Sequence, residues 1–239
     1  KQQAPDSFWH DWLAHPTDDD YWQALKPNLT GVDLPMLHVG GWFDPYLTGD
    51  IRLFKEMAAR QYPQHFWIGP WSHIPWNRNV GDVDFGPGAM NPIDQLQIRW
   101  FDHWLKGQDT ELANQPPIHL FEMGSNQWRT FETWPEDLKP RTYRLESSGL
   151  AAMRQDNGAL VHPSSNESAA SNVVTDVLVH DPWRPVPSLG GHTSFPSGSF
   201  ERSALDGRSD ILTYTTGLLA TELAIVGEAA VTLPMQSDA

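Results

Sequence analysis

Short apolar runs and a helical stripe alternate in the first half of the chain. Residues 35–39 and residues 64–68 each form a compact apolar run that a glycine ends, a pattern typical of buried parallel strands. Between them, apolar positions recur on one face of residues 51–58, as in an amphipathic helix that Thr48 or Asp50 is placed to cap. The pattern therefore predicts a strand, a helix and a second strand.

A further helix has clear signals at both ends. Asn91 is a favourable N-cap, Pro92 fits the first helical position, and Gly107 suits the position just past the helix. Asp94 and Lys106 complement the positive start and the negative end of the helix. Its predicted buried stripe comprises Leu96, Trp100, Phe101, Trp104 and Leu105.

The period of the apolar positions changes to two beyond Asn114. Strand-like segments alternate there with turns rich in Gly, Pro, Ser and Asn, which predicts an all-β region. The polar residues 110–116 before it are typical of a domain linker. The predicted strands cover residues 118–123, 141–145, 173–179, 211–214 and 229–233.

The composition opposes several classes of function. The 239-residue chain has 16 Lys and Arg against 30 Asp and Glu, a formal net charge of −14, and this acidity opposes a nucleic-acid partner. Zero cysteines exclude disulfides, thiolate catalysis and cysteine-based metal sites. The mean hydropathy of −0.47 and the lack of an apolar run of about 18 residues oppose a membrane span. The compartment stays open, since a cysteine-free protein survives in either redox environment.

Two residues of catalytic type end the two predicted strands. Asp44 closes Gly-Gly-Trp-Phe-Asp, and His73 closes Gly-Pro-Trp-Ser-His 29 residues later. Side chains that act on ligands gather at the carboxyl ends of parallel strands, and one right-handed crossover helix would place both residues on the same side. A carboxylate there can hold an imidazole in the tautomer that accepts a proton from a serine.

The serine itself is missing from the sequence. No stretch reads G-x-S-x-G, the elbow that carries the nucleophile of an α/β-hydrolase, and Ser72 is interpreted as a loop serine. Taken separately, Asp44 is a common type of turn former and His73 a common loop residue. The acidic run at 18–20 is more typical of a solvated or helix-starting face than of a cation site. No metal and no cofactor are therefore predicted.

Longer motifs extend over nearly the whole chain. They are Leu-Pro-Met-Leu-His-Val-Gly-Gly-Trp-Phe-Asp at 34–44, Gly-Pro-Trp-Ser-His at 69–73, Arg-Trp-Phe-Asp-His-Trp-Leu-Lys-Gly at 99–107, and the segments 180–191 and 208–219. In combination they make the chain resemble the CocE/NonD hydrolases, which include cocaine esterase, α-amino-acid ester hydrolases and X-prolyl dipeptidyl-peptidases. The resemblance also indicates a bacterial protein.

The resemblance implies an α/β-hydrolase domain with a helical cap, followed by a jelly-roll β-sandwich. Residues 1–30, which contain two short helix-like pieces, would be the end of the cap and its return segment. Residues 31–112 would be the C-terminal part of the α/β-hydrolase domain, and residues 113–239 a partial jelly roll. The expected fold class is therefore α/β plus all-β. The nucleophile elbow and the oxyanion-hole tyrosine of the family would lie outside this chain.

The same resemblance implies roles for individual residues. Asp44 would be the orienting acid and His73 the general base. Tyr46 lies where esterase-like members have an aromatic wall for the acyl group, and Phe43 and Trp71 are further candidates for the substrate pocket. Members that recognise α-ammonium substrates have acidic residues just after the catalytic Asp. This chain has none there, which disfavours an amino-ester acylase.

We therefore expect the C-terminal part of a serine hydrolase that cleaves acyl esters or amides through an acyl-enzyme. The chain alone, without its serine, should be inactive. The alternatives are an X-prolyl dipeptidyl-peptidase, a glutaryl-type acylase and, from another class, a non-catalytic jelly-roll binding or assembly module. The expected partner is a small-molecule acyl ester or amide, with neither nucleic acid nor a membrane span. A homo-oligomer, a complementing N-terminal half, and a cytoplasmic or secreted location are all left open.

Overall fold

The computed structural model describes residues 6–60, 62–135, 139–163, 174–193 and 195–238. The chain divides into two compact units, Lys1–Leu34 and Pro35–Ala239. Within the described ranges, no helix has the length and apolar content needed to cross a membrane.

The first unit contains two short helices, α1 (Trp9–Ala14) and α2 (Asp20–Leu25), which confirms the two helix-like pieces. Asp19 caps α2, because its Oδ1 atom accepts a hydrogen bond from the Tyr21 N–H at 3.1 Å. Its Oδ2 atom lies 2.7 Å from Nδ1 of His15, and this bond holds the pKa of Asp19 below its ordinary value. Asp18 forms an ion pair with Lys26 at 3.3 Å. The acidic run thus acts locally, in helix capping and pairing.

The second unit contains, in chain order, β1 (Met36–Phe43), α3 (Leu47–Ala58), β2 (Gln64–Ser72), β3 (Asn79–Val80), β4 (Val83–Asp84), α4 (Ile93–Lys106), β5 (Ile118–Glu122), β6 (Gln127–Phe131), β7 (Arg144–Glu146), β8 (Ala159–Val161) and α5 (Ser203–Asp206). Short 3₁₀ turns cover Pro87–Ala89 and Leu112–Asn114. The unit is built around a four-stranded sheet of order β1-β2-β5-β6. β1, β2 and β5 are parallel, and β6 is antiparallel to β5.

The predicted strand, helix and strand correspond to β1, α3 and β2. The predicted cap of α3 is wrong, because the N-cap is Tyr46 and no side chain caps the helix. Thr48 and Asp50 lie inside its first turn instead. The turn that begins the helix is closed by backbone bonds, such as the 3.1 Å bond from the Asp50 N–H to the Tyr46 carbonyl.

The predicted C-terminal end of α4 is confirmed, but the predicted N-terminal end is displaced by one residue. The N-cap is Pro92 and the helix begins at Ile93, so the prediction of Asn91 as N-cap and Pro92 as first helical residue is wrong. The Asn91 side chain still accepts a hydrogen bond from the Ile93 N–H at 2.7 Å. Gly107 has a φ of +68°, and the N–H of Gln108 reaches back to the carbonyl of Asp102 at 3.1 Å. This is the glycine-terminated helix end that the sequence predicts.

The predicted buried stripe of α4 is only partly correct. Leu96 and Trp100 are buried, together with Ile93. Spacings of three and four residues place these side chains on the face that packs against the sheet. Phe101, Trp104 and Leu105 fall outside that face and are 53%, 38% and 76% exposed, so their predicted burial is wrong.

The core lies on both faces of the sheet, as expected for parallel strands. One cluster lies between α3 and the sheet, and it comprises Phe54, Phe66, Ile68, Ile118 and Leu120. Another joins α4, and it comprises Trp71, Ile93, Leu96, Trp100 and Leu112.

Histidines are also buried in the sheet. His38, His65 and His119 are 7%, 5% and 6% exposed. Burial lowers the pKa of His38 and of His65, and it lowers that of His119 to about 4. The His119 ring stacks on Trp67 with centroids 3.7 Å apart, and its Nε2 atom has no hydrogen-bond partner among the described residues. The interior therefore favours neutral imidazoles.

The C-terminal part of the chain has fewer strands than its alternating pattern predicts. β7 is shifted from the predicted segment 141–145 and pairs with β8. Residues 174–179, 211–214 and 229–233 form no strand in the part of the chain that the structure describes, while Val173 lies outside it. Beside the segment 211–214, an isolated bridge joins Ala159 to Thr215. Alternation gives a segment one apolar face, but a strand also needs a hydrogen-bonded neighbour.

Side-chain hydrogen bonds connect segments of this region. The carboxylate of Asp176 accepts bonds from the hydroxyl groups of Ser147 at 2.6 Å and Tyr214 at 2.5 Å, and from the Ala151 N–H at 2.9 Å. Burial alone would raise the pKa of Asp176, but these bonds bring it below its ordinary value. Burial and the bond to Asp176 together raise the pKa of Tyr214 to about 12.

The pH dependence of stability should reveal the buried histidines. Folded His119 stays neutral down to about pH 4, whereas the unfolded chain binds a proton near the ordinary pKa of 6.5. Stability is thus fully present above pH 6.5 and is lost as the pH falls towards 4, by about 3 kcal/mol for this residue. Urea unfolding at neutral pH and near pH 4.5 should show a smaller loss in His119→Phe, which keeps the stacking on Trp67.

The matched control for this measurement is His103→Phe, on α4. The His103 ring bonds the Gln108 carbonyl at 3.0 Å and is not buried in the sheet, so this variant reports the effect of removing a histidine from outside the core. An unchanged pH dependence in His119→Phe would contradict the assignment.

Tyr214→Phe should lower the free energy of unfolding by about 1 to 2 kcal/mol, because Asp176 loses a donor to its charged carboxylate. Urea titration at neutral pH measures the difference. Tyr143→Phe is the control, since the Tyr143 ring packs edge-on against His162 and its hydroxyl bonds no described residue. Equal losses in the two variants would show that the network around Asp176 adds no stability.

Candidate active site

A one-residue register shift brings the ends of β1 and β2 into alignment. Gly41 is paired with Gly69, but two positions later Phe43 is paired with Ser72. One residue of β1 therefore faces two of β2, as in a β-bulge. The shift places Asp44, the next residue after β1, beside His73, the next residue after β2.

The glycines of the two motifs are required by close contacts. A Cβ atom on Gly41 would lie 2.3 Å from the backbone oxygen of Trp71, and one on Gly69 would lie 2.4 Å from the Trp71 indole. Any other residue at these positions would push the strands apart or displace the indole. Packing around Trp71 thus sets the distance between the ends of β1 and β2.

Asp44 and His73 form a hydrogen-bonded pair. Nδ1 of His73 lies 3.0 Å from Oδ2 of Asp44, and the other carboxylate oxygen accepts the Tyr46 N–H at 2.8 Å. An ionised carboxylate only accepts, so the bond fixes the proton of a neutral imidazole on Nδ1 and leaves a lone pair on Nε2. The Asp44 side chain is 8% exposed and the His73 side chain 54%. The pair can therefore present a base to solvent while its carboxylate stays covered.

An aromatic ring packs against the exposed imidazole, and an exposed apolar residue follows it in the chain. The Tyr46 ring lies 5.0 Å from the His73 ring and is tilted by 65°, and Tyr46 is 63% exposed. Ile74, which follows the histidine directly, is 78% exposed. Sequence reasoning missed Ile74, although its position next to His73 was visible.

The other pocket candidates lie deeper. Phe43 is half-buried, with its ring 6.2 Å from that of Phe85. Trp71 is fully buried, and its Nε1 atom donates to the Ala89 carbonyl at 2.8 Å. Tyr46 therefore contacts His73 directly, whereas Phe43 and Trp71 pack in the protein interior below the Asp44 and His73 pair.

Asp50 is a carboxylate that sequence reasoning treated only as a helix cap. It lies half-buried in the first turn of α3. Burial raises the pKa of Asp50, the nearby Asp44 charge raises it further, and His73 opposes the shift. The signal in the sequence was its position six residues after Asp44, where the first turn of the helix folds back over the strand.

Other candidates from the sequence lie apart from this arrangement. The Ser72 hydroxyl makes a long 3.4 Å contact with the Pro75 carbonyl, and no elbow surrounds it. Asp102 bonds Lys106 at 2.5 Å and not the neighbouring His103. Among the described residues, no three His, Asp or Glu side chains converge as metal ligands would.

Family models match two parts of the chain. The model of the X-Pro dipeptidyl-peptidase (S15 family) matches residues 1–75. The model of the X-Pro dipeptidyl-peptidase C-terminal non-catalytic domain matches residues 110–239.

Known proteins resemble the chain over most of its length. Cocaine esterase of Rhodococcus sp. (strain MB1 Bresler) is 30% identical over 236 residues, which cover 95% of this chain and 40% of the esterase. The crystal structure of an aminopeptidase from the marine sediment archaeon Thaumarchaeota archaeon superposes with a TM-score of 0.57 at 25% identity, over 87% of this chain and 33% of that one. A CocE/NonD family hydrolase from Staphylococcus aureus gives a TM-score of 0.44 at 16% identity, over 68% and 27%.

The chain spans 40% or less of the length of these proteins. The matches still extend across both of its family regions, and the C-terminal model alone covers more than half of it. The chain therefore belongs to the CocE/NonD and X-Pro dipeptidyl-peptidase superfamily of hydrolases.

Proposed function

We propose that this chain is part of a serine hydrolase that cleaves acyl esters or amides, with Asp44 and His73 as the acid and base of its triad. The observation that carries the proposal is the hydrogen bond between them, with Nδ1 of the imidazole turned to a covered carboxylate. This arrangement supports a base at Nε2. Their place at the ends of neighbouring parallel strands supports the same conclusion, because loops gather reacting groups there.

The mechanism follows from the tautomer. Nε2 of His73 takes the proton of a serine hydroxyl while the serine oxygen attacks the acyl carbon. The imidazolium is stabilised by Asp44, and it then donates the proton to the departing alcohol or amine. A water molecule, activated by the same nitrogen, attacks the acyl-enzyme and releases the acid and the free serine.

The serine lies outside this chain in our proposal. The sequence contains no G-x-S-x-G elbow, and the chain covers only 40% of cocaine esterase. The oxyanion hole, which supplies a large share of such catalysis, would come from the same missing part. We therefore propose that the chain alone is inactive.

The domain division extends this proposal to the rest of the chain. Residues 1–30 would end a helical cap, residues 31–112 would complete the α/β-hydrolase sheet, and residues 113–239 would form a partial jelly roll. The match of residues 110–239 to a non-catalytic C-terminal domain supports the last assignment.

The rim of the site favours an uncharged acyl group as substrate. Tyr46 and Ile74 present apolar surface beside His73, and no acidic residue follows Asp44 directly. A second candidate is cleavage of X-Pro dipeptides from peptides. The match of residues 1–75 to the X-Pro dipeptidyl-peptidase family favours it.

Activity of the complete protein tests the triad. Asp44→Asn should lower kcat for p-nitrophenyl esters by about ten thousandfold, because the imidazole loses its correct tautomer. His73→Ala should have an effect at least as large. The matched controls are Asp102→Asn and His103→Gln, an Asp and a His that do not bond each other, and they should keep wild-type kcat.

The chain alone completes this test. It should hydrolyse no ester and stay unlabelled by a fluorophosphonate, whereas the complete protein should be labelled at its serine. Turnover and labelling of the chain alone, or silent Asp44 and His73 variants, would overturn the proposal.

Substrate choice should follow the apolar rim. We expect the complete protein to show a higher kcat/KM for p-nitrophenyl acyl esters than for X-Pro p-nitroanilides. Tyr46→Ala should lower the ester kcat/KM by about tenfold, as expected when a ring contact with the acyl group is lost. Tyr62→Ala, at the opposite end of the sheet, is the control. A strong preference for X-Pro substrates with a free amino terminus would reject the esterase assignment in favour of the peptidase.

A further inference from the structure

Asp50 is a carboxylate at the candidate site that the triad mechanism does not use. α3 begins three residues after Asp44, so its first turn lies at the same end of β1 as the Asp44 and His73 pair. A Cβ atom on Gly40 would stand 3.5 Å from Oδ2 of Asp50, an ordinary van der Waals contact. The carboxylate therefore lies directly against β1.

The Asp50 carboxylate has no hydrogen-bond or ion-pair partner among the described residues, although it is half-buried. Other partly covered carboxylates in this unit are well supplied with donors. Asp176 accepts hydrogen bonds from Ser147, Tyr214 and Ala151, and Asp210 forms an ion pair with Arg208. Leaving a carboxylate half-buried without donors costs stability. Such a cost is typical of residues retained for function.

The charges that reach Asp50 come from the two strands against which α3 packs. Burial is the largest cause that raises the pKa of Asp50. The charge of Asp44, which follows β1, raises this pKa further, and His73, which follows β2, lowers it. The buried histidines of these strands lie elsewhere, since His38 packs against Phe54 farther along the helix and His65 against Trp100 of α4. On α3 itself, the charged residues are Asp50, Arg52, Lys55 and Glu56.

We propose that Asp50 is a second positioning residue of the His73 site, a negative charge that stabilises the imidazolium formed during acyl transfer. The inference rests on the proposed function. Asp44 fixes the tautomer through its hydrogen bond, whereas Asp50 acts through space and adds no bond. Because its pKa is raised, Asp50 loses its charge at a higher pH than an ordinary Asp. The rate should therefore fall on the acid side as Asp50 takes up a proton.

The electrostatic coupling can be measured in this chain without activity. The carboxyl carbon of Asp50 is followed by ¹³C NMR through a pH titration of the wild type, Asp44→Asn and His73→Gln. The pKa of Asp50 should fall in Asp44→Asn, which removes a like charge, and rise in His73→Gln, which removes an attracting one. Identical titrations in the three proteins would overturn the inference. His73 is half exposed, so His73→Gln decides the question if Asp44→Asn does not fold.

Kinetics of the complete protein supply the second readout. Asp50→Asn should lower kcat by about tenfold with little change in KM, and Asp50→Glu should restore part of the loss together with the acidic limb of the pH profile. Asp102→Asn, which removes a half-buried carboxylate on α4, is the matched control. Wild-type kcat and an unaltered pH profile in Asp50→Asn would contradict the inference.

Asp44→Asn in the same assays separates the two proposals. If it abolishes activity while Asp50→Asn is silent, only the inference about Asp50 fails. If Asp44→Asn is itself silent, the triad assignment fails, whereas the NMR titration still reports whether Asp50 senses the pair.

Discussion

The close contact between the ends of β1 and β2 is the constraint on which the candidate site depends. The strands can approach only because Gly41 has no side chain to meet the Trp71 carbonyl. This approach fixes the register shift, and the shift places Asp44 beside His73. The indole of Trp71 is anchored in the core beneath α4. The loop that carries the histidine thus starts from a point that cannot move without disturbing the core.

The two parts of the second unit are held together in different ways. From β1 to β6, backbone ladders and apolar clusters define the structure. Beyond β6, side-chain hydrogen bonds connect the segments of the chain. Asp176 joins three segments, and Arg208 binds both Asp210 and the Arg184 carbonyl. Ladders are repetitive and follow from local patterns, whereas each of these networks depends on partners distant in sequence.

This difference explains what the sequence could predict. β1, β2 and the C-terminal end of α4 follow from local signals, namely apolar runs and glycine ends, and all three agree with the prediction. Alternation at 211–214 and 229–233 suggested strands, but a strand also needs a neighbour that no local pattern specifies. Phe101 and Leu105 have the right spacing for a buried stripe, yet they are exposed because the sheet covers only one side of α4.

The same limit applies to the candidate site. The residue types and their place after two strands identified Asp44 and His73, and Tyr46 came from family resemblance. The register shift that aligns them is a property of two paired strands and could not be derived from either one. The sequence pattern suggests Asp50 only as a helix cap. Its place near Asp44 and His73 depends on how α3 packs against β1 at Gly40, which no local pattern specifies.

The hydrogen bonds that orient Asp44 and His73 are all formed within this chain. Both carboxylate oxygens are engaged, and the imidazole is already oriented. In the enzyme that we propose, a separately supplied half bearing a serine would meet a base that needs no rearrangement, so the entropic cost of joining would arise mainly from the docking of two backbone surfaces. The rate at which such an enzyme reassembles from two pieces would then be limited by their diffusion and docking. Ordering of the Asp44 and His73 side chains would slow it little.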